Sequence, residues 1–426
     1  MITRVTGLLA PIGIIGAGAS GLAAAHALRR AGYRSVTVLE RADHVGGKCH
    51  TFPFEGRSYE LGAGAFTSAY TNVRSLMDEV GVRAVAGVGG VFNDLEAGRT
   101  SILPPPLRDH APWRLGVETV RLGALLWRAA ELRRPGFAGL PSELAEPFSA
   151  WARHRRLEGV AALIEPWFTG FGYGYLDEVP AAFVLKYATL FRFPVAELLD
   201  VGYQGLWERV AARLDVRLGV HIRAIVRSEQ EVSVTIDRGD RGEVEQLRFA
   251  ALIVTCPPDD ALRILDASEE ERALLSRPAY NDYRVIAAVV DGAPRARYGF
   301  IQRHLSRDHA GEVIFWYRRW SDRDLVLYYS LAPPGMSMDE TEARTRATVG
   351  RMGGRVTRIH TRHAWRYFPH VDTATIRSGY YERFDALQGQ RRTYYAGEIL
   401  AFSTVETVVA YARALVAKHF PTRGAG

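Results

Sequence analysis

Gly16-Ala-Gly18-Ala-Ser-Gly21 follows the apolar run Ile12-Gly-Ile-Ile15, and Glu40 stands nineteen positions beyond the last glycine. In a strand–turn–helix frame each of these residues has a physical task. Gly16 permits the tight turn, Gly18 lets the backbone approach a pyrophosphate, and Gly21, with Ala25 one turn on, lets the helix lie close to a sheet. The helix start at Ala19 and Ser20 offers free N–H groups and the positive end of the helix dipole to phosphate oxygens. Glu40 is placed to accept two ribose hydroxyls and to repel a 2′-phosphate. Dinucleotide binding is the chemistry this spacing serves.

The elements needed to hold these residues are legible around them. Residues 12–15 read as a buried strand, 20–31 as a helix closed by Gly32, and 36–40 as a second strand, which together make a βαβ unit. The block Arg41-Ala-Asp-His-Val-Gly46-Gly47-Lys48-Cys49-His50-Thr51 follows directly. Its glycine pair and adjacent cation supply further donors for a second phosphate-rich segment, as extended FAD requires. Residues 53–66 read as glycine-rich and irregular, 71–80 as a helix, and 113–134 as a long amphipathic helix after the Pro104-Pro105-Pro106 break. Residues 141–200 read as mostly helical and rich in aromatics. From 216 the period changes to two, with strands expected at 220–226, 231–236, 246–249, 250–255 and within 283–332. Helices are expected at 341–352 and 405–419.

Composition narrows the classes. The 426-residue chain carries a net charge of +7 with 47% hydrophobic and 24% charged residues, a soluble globular balance. Only Lys48, Lys186 and Lys418 are lysines, and the arginines are dispersed, so no nucleic-acid partner is expected. Cys49 and Cys256 form no redox or zinc spacing, which fits a reduced, cytoplasmic setting. His360 and His363 have no acidic or cysteine companions, so no metal is expected. Gly87-Val-Gly-Gly90 lacks a strand–helix frame, so there is no second dinucleotide motif and no NAD(P)H site. The hydride must therefore come from the substrate.

The run from Gly16 to Thr51 resembles the flavoprotein superfamily of amine oxidases, protoporphyrinogen oxidases and phytoene desaturases. A closer likeness is to bacterial polyenoic fatty acid isomerases, which make conjugated linoleic acid. It is carried by Asp43-His-Val-Gly-Gly-Lys-Cys-His50, by Phe168-Thr-Gly-Phe-Gly-Tyr-Gly-Tyr175 with Val179-Pro-Ala-Ala-Phe-Val-Leu-Lys-Tyr187, and by three C-terminal segments. These are Tyr367-Phe-Pro-His-Val371, Tyr380-Tyr-Glu382 and Gln388-Gly-Gln-Arg-Arg-Thr-Tyr-Tyr-Ala-Gly-Glu-Ile-Leu400.

The resemblance implies an α/β fold: a glutathione-reductase-like Rossmann FAD domain from 1–75, 203–275 and 386–426, a connection at 76–103, a helical lid at 104–202 and a β-rich substrate domain at 276–385. It places Val220 and Ile222 by the adenine, Gly397 and Glu398 by the pyrophosphate, the helix from Val405 over the cofactor, and Gly62, Ala63, Gly64 and Ala65 by the isoalloxazine. It assigns Phe171, Tyr173 and Tyr175 to an aromatic substrate pocket, where π faces would stabilise an allylic cation. It also implies an arginine for the substrate carboxylate shortly before Phe92 and a gating phenylalanine at Ala196. This sequence departs at both: Arg83 lies several positions too early, and Arg192 is the candidate substitute. An ester, a carrier-bound acyl chain or a neutral polyene therefore competes with a free fatty acid.

The expected activity is double-bond isomerisation of a polyunsaturated acyl chain by hydride abstraction to flavin N5 and return. The alternatives are an oxidase or desaturase using oxygen or a quinone, and a non-catalytic lipid-binding relative like the prenylated-GTPase chaperones. The helix at 113–134 reads as a lid over a lipid tunnel or, since its polar face carries Arg114, Arg121, Arg128 and Arg133, as a membrane-surface helix making peripheral membrane contact.

Overall fold

The computed structural model describes residues 7–85, 87, 89–109, 111–190, 196–238 and 243–420. Its centre is a five-stranded parallel sheet in the order Thr393–Tyr395, Ala251–Val254, Ile12–Ile15, Val36–Leu39, Asp215–Arg217. Ile12-Gly-Ile-Ile15 is apolar throughout because helices cover both faces of a parallel sheet, and all four residues are buried. The helix Ala19–Arg30 crosses from the first strand to the second, and Val405–His419 packs along it. Beside this sheet lies an antiparallel ribbon of Ile222–Arg227, Val232–Arg238 and Glu243–Phe249.

A seven-stranded sheet forms the second layer, in the order Arg355–His370, Ala279–Asp291, Leu325–Ala332, Val313–Tyr317, Tyr298–Ile301, Gly90–Asp94, Arg99–Ser101. Its pairs are antiparallel except Tyr298–Ile301 with Gly90–Asp94. Residues 76–103 thus contribute two of its strands. The helices Pro105–Asp109, Pro112–Arg128, Phe148–His154, Glu158–Gly170 and Ala181–Ala188 form the third body. This is the expected mixed α/β architecture, with a Rossmann-like unit and a separate β-rich sheet.

Two local expectations are corrected, and one element goes beyond them. The irregular stretch at 53–66 contains a hairpin, Thr51–Phe54 with Arg57–Glu60, turned by Glu55 and Gly56 at φ 45° and 73°. Two consecutive positive φ angles match the twist of a two-residue hairpin loop, and an Asn-Gly or Asp-Gly pair would have signalled it more plainly. The amphipathic helix is Pro112–Arg128 rather than 113–134. The chain leaves helical geometry at Ala129, at φ −86° and ψ 64°, and Arg133 folds back to donate to the carbonyls of Leu126 and Trp127 at 3.0 and 3.3 Å, with a 3-10 turn at Ala130–Arg133. The sixteen-residue strand Arg355–His370 was not anticipated. As an edge strand it carries Arg355, Arg358, Arg362 and Arg366, which mask its alternation.

Candidate active site

The glycine-rich turn closes as its spacing demands. Gly16 has φ 100°, and a Cβ on Gly21 would lie 1.9 Å from the Gly16 carbonyl oxygen. Gly18 precedes the helix Ala19–Arg30, and no side chain caps its first-turn amides. The Ser20 hydroxyl there is buried with no hydrogen-bond partner. Free helix-start amides and an orphaned hydroxyl fit a phosphate-bearing ligand. The Gly46-Gly47 turn is brought against this one: Gly46 N donates to Ala17 O at 2.9 Å, and a Cβ on Gly47 would stand 3.2 Å from Gly18 Cα. The lack of side chains on both turns leaves their backbones bare toward the same crevice.

Glu40 lies at the end of the neighbouring strand with both oxygens oriented. Ala17 N donates to Oε2 at 2.7 Å and Ala42 N to Oε1 at 2.8 Å. Each carboxylate oxygen retains a lone pair for a hydroxyl donor. Val220 N donates to the Glu40 carbonyl at 2.8 Å, which sets Val220 beside that acid, and Ile222 opens the adjoining ribbon. Arg41 is on the rim, its side chain 71% exposed and 3.9 Å from Asp260.

Gly397, at φ 128°, starts the short helix Glu398–Ala401. A Cβ there would stand 3.4 Å from Thr255 O. The Thr255 hydroxyl donates to Ile15 O at 2.7 Å and also sits 2.9 Å from a Cβ built on Gly16. Thr255 therefore ties both glycines to one strand end, a role that strand patterning alone did not reveal. Val405 begins the last helix, whose Glu406 is buried and accepts Asn72 N and Val73 N, each at 3.0 Å. This carboxylate caps the helix Thr71–Val80, which has no cap of its own.

Lys48 does not point at the glycine turns as a bare cation. Its ammonium donates to Glu398 Oε2 at 2.7 Å and lies 5.4 Å from the Tyr367 ring centroid. The Ser403 hydroxyl donates to the same Glu398 oxygen at 3.0 Å. Gly62 passes the Lys48 backbone so closely that a Cβ would stand 1.8 Å from its carbonyl oxygen, and Ala63 N donates to that oxygen at 3.2 Å. Gly64 packs on the Glu60 side chain, and Ala65 is exposed. His50 and His363 stack 6.5 Å apart on this side, and burial lowers both imidazoles below the usual histidine range.

From Tyr367 an aromatic wall extends into the second sheet. Tyr173 and Tyr283 flank Tyr367 with ring centroids 5.6 and 5.4 Å away. Tyr173 also meets Phe402 at 4.9 Å and Phe368 at 5.5 Å. The loop carrying Tyr173 is pinned by Asn281, which donates to Gly172 O at 2.9 Å, and by the Tyr283 hydroxyl, which donates to Gly170 O at 2.6 Å. Burial raises the Tyr173 and Tyr367 phenols far above their ordinary range, so both stay neutral. Phe368 and Phe402 are buried yet have φ of 47° and 80°. Positive φ in a bulky residue costs about 1–3 kcal/mol and clusters at functional sites. Phe368 lies in the Tyr367-to-Val371 segment that carries the resemblance, but nothing in the sequence marks the backbone strain at either phenylalanine.

Phe171 joins the same aromatic body through Phe315 and Phe300, at 5.2 and 5.9 Å. Tyr175 packs on the cluster that holds Tyr283, Phe300 and Phe315, and it also lines a cavity of about 480 Å³ with Glu165, Asp177 and Arg307. Ala196 packs on the loop before the second sheet, where a Cβ on Gly87 would overlap its carbonyl at 1.3 Å. Arg83 is drawn to the surface by Asp200 at 3.4 Å, and Arg192 lies outside the described residues. His360 packs on Phe52 and Phe54 while His363 packs on Trp365, so the two rings face different neighbours.

A parallel βαβ crevice with two bare glycine turns, an oriented acid, a third glycine from the C-terminal strand and an apolar aromatic wall defines a flavin-dependent oxidoreductase class of fold. More particularly, the chain belongs to the flavin containing amine oxidoreductase family, whose profile it matches over residues 19–414. The FAD-dependent oxidoreductase dpasF of Apiospora sacchari is 26% identical over 439 residues, covering 93% of this chain and 90% of that protein. The crystal structure of a CLA-producing fatty acid isomerase from P. acnes superposes with a TM-score of 0.90 at 30% identity, covering 98% of this chain and 100% of that one. A polyenoic fatty acid isomerase of Ptilota filicina is 35% identical over a local stretch of 71 residues, 17% of this chain and 14% of that protein.

Proposed function

We propose that the protein is an FAD-dependent isomerase of polyunsaturated acyl chains. The observation that carries this reading is the near-complete superposition on the fatty acid isomerase of P. acnes at 30% identity. In this reading 1–75, 203–275 and 386–426 form the FAD unit, 104–202 the lid and 276–385 the substrate unit. The amides from Ala19 to Gly21, with Gly16, Gly18, Gly46 and Gly47, hold the pyrophosphate. Glu40 holds the adenosine ribose, Val220 and Ile222 border the adenine, and Gly62 to Ala65, Lys48, Gly397 and Glu398 lie toward the ring end.

When bound, the flavin would supply a two-electron centre for reversible hydride exchange with a pentadienyl unit of the acyl chain. The chain's own contribution is position and environment. Phe171, Tyr173, Tyr367 and Phe402 exclude water and present π faces to the positive charge that hydride loss leaves on the acyl chain. The neutral phenols neither quench that charge with a proton transfer nor introduce a competing anion. The Lys48–Glu398 pair is internally balanced, so it adds no net charge beside the substrate.

With Arg83 engaged by Asp200, the head group is read as an ester, a carrier-bound acyl chain or a neutral polyene end. Turnover of linoleic acid against its thioester and its methyl ester tests this. Equal or faster turnover of the neutral forms is expected, and strict dependence on a free carboxylate would refute it. A second reading, an oxidase or desaturase, is favoured by the full-length likeness to an FAD-dependent oxidoreductase. It differs by consuming one acceptor per product.

A further inference from the structure

Of the twelve large apolar side chains exposed across the described residues, seven fall within 102–127. Isolated exposed apolar residues need no explanation, but such concentration marks an interaction surface. On the helix Pro112–Arg128 they form a stripe: Trp113, Val117, Val120, Ala124 and Trp127 recur at the spacing that keeps one face. Trp113 is 71% exposed, Val120 74% and Trp127 74%. The helix is already seated on the protein by its other side, where Leu115 is buried and Leu122, Leu125 and Leu126 pack against the core. It therefore carries a second apolar face with nothing against it among the described residues. Ile102, Leu103 and Leu107, 79%, 50% and 43% exposed, lie just upstream in the chain.

We propose that this face docks the protein on an anionic lipid surface, with the helix Pro112–Arg128 lying in the interfacial plane. Charge selects the partner. Arg114, Arg121 and Arg128 recur every seven residues along one flank of the stripe. Arg114 and Arg128 form no ion pair among the described residues, and Arg121 donates only to the carbonyls of Arg155 and Arg156. Glu118 is the helix's one acid, and it faces inward, accepting Val160 N at 2.9 Å. A second copy of the helix would offer another arginine row and no exposed carboxylate, so self-pairing would set like charges together. Anionic head groups answer the arginines, and tryptophan at both ends of the stripe suits the bilayer interface. No described helix is long and apolar enough to cross a membrane, so the contact is a surface one. The docking surface stands independently of which reaction the crevice performs.

The test is co-sedimentation of the full-length holoprotein with vesicles of phosphatidylglycerol and phosphatidylcholine, and with phosphatidylcholine alone. Binding to the anionic vesicles that weakens with added salt is expected. Trp113→Ser with Trp127→Ser should weaken it about ten-fold or more, and Arg114→Gln with Arg128→Gln should remove most of the salt dependence. Flavin content and thermal midpoint serve as fold controls, since all four side chains are exposed. Absence of vesicle binding, or binding that these variants leave unchanged, overturns the proposal. So does a protein that sediments as a dimer, fails to bind vesicles and becomes monomeric in Trp113→Glu, because the face would then belong to a second copy.

Discussion

Replacing Glu40 by alanine tests the ribose contact, provided FAD and FMN are compared. Its two oxygens are held by Ala17 N at 2.7 Å and Ala42 N at 2.8 Å, so the carboxylate is oriented before any ligand arrives. A hydrogen bond to a charged group contributes about 1.5–3 kcal/mol. Loss of the ribose pair, with water partly replacing it, should therefore weaken FAD by about 3 kcal/mol, or roughly a hundred-fold in Kd. Glu40→Gln should do nearly as badly, because its NH2 group would face one of the two backbone donors. The assay is flavin fluorescence titration of apoprotein with FAD and, in parallel, with FMN, which lacks the adenosine ribose. FAD affinity should fall while FMN affinity stays nearly constant. Equal losses for both ligands would mean that Glu40 only shapes the backbone, and unchanged FAD affinity would remove the ribose role altogether.

Arg319→Met should destabilise the protein by about 3–5 kcal/mol in chemical denaturation, because it strands buried Glu60, now 2.9 Å from that guanidinium; a loss below about 1 kcal/mol would refute the pair's structural role. Burial beside Asp177 lifts the Glu165 carboxyl to about 7, so the folded state binds that proton more tightly than the unfolded chain. Its contribution is full below the ordinary value of 4.5 and is lost as pH rises through about 7, at most about 3 kcal/mol. Glu165→Gln should accordingly match wild type near about pH 4 and melt higher above about pH 8; parallel melting curves at all pH values would contradict this. Tyr173→Leu should lower kcat about ten-fold at full flavin content, whereas Tyr173→Phe should keep most of it, and the reverse order would mean that the hydroxyl rather than the ring matters.

What the sequence disclosed followed from local rules. The Gly16, Gly18 and Gly21 spacing forces one turn geometry, and the helix at Ala19–Arg30 and the strand at Val36–Leu39 duly flank it. The helices Thr71–Val80 and Val405–His419 begin and end where their periodicity places them. Long-range contacts were out of reach. Nothing local announces that Glu406 caps a helix more than 300 residues away, that Thr255 braces both Gly16 and Gly397, or that Lys48 would pair with Glu398. The path of the loop that carries Tyr173 and Tyr175 was equally out of reach: Gly172 and Gly174, at φ 86° and 98°, bend it out of any regular period. The sequence offered this helix as a lid or a membrane-surface helix, but leucine periodicity alone could not say which of its apolar residues stay exposed.

The central claim is that the hydride leaves the acyl chain and returns to it. Anaerobic incubation of the flavin-loaded protein with linoleic acid and its thioester, following conjugated-diene and flavin absorbance together, tests this most directly. Conjugated product should accumulate over many turnovers while the flavin stays oxidised at steady state. Bleaching after a single turnover, reversed on admitting air, would contradict the account and make the enzyme an oxidase or desaturase.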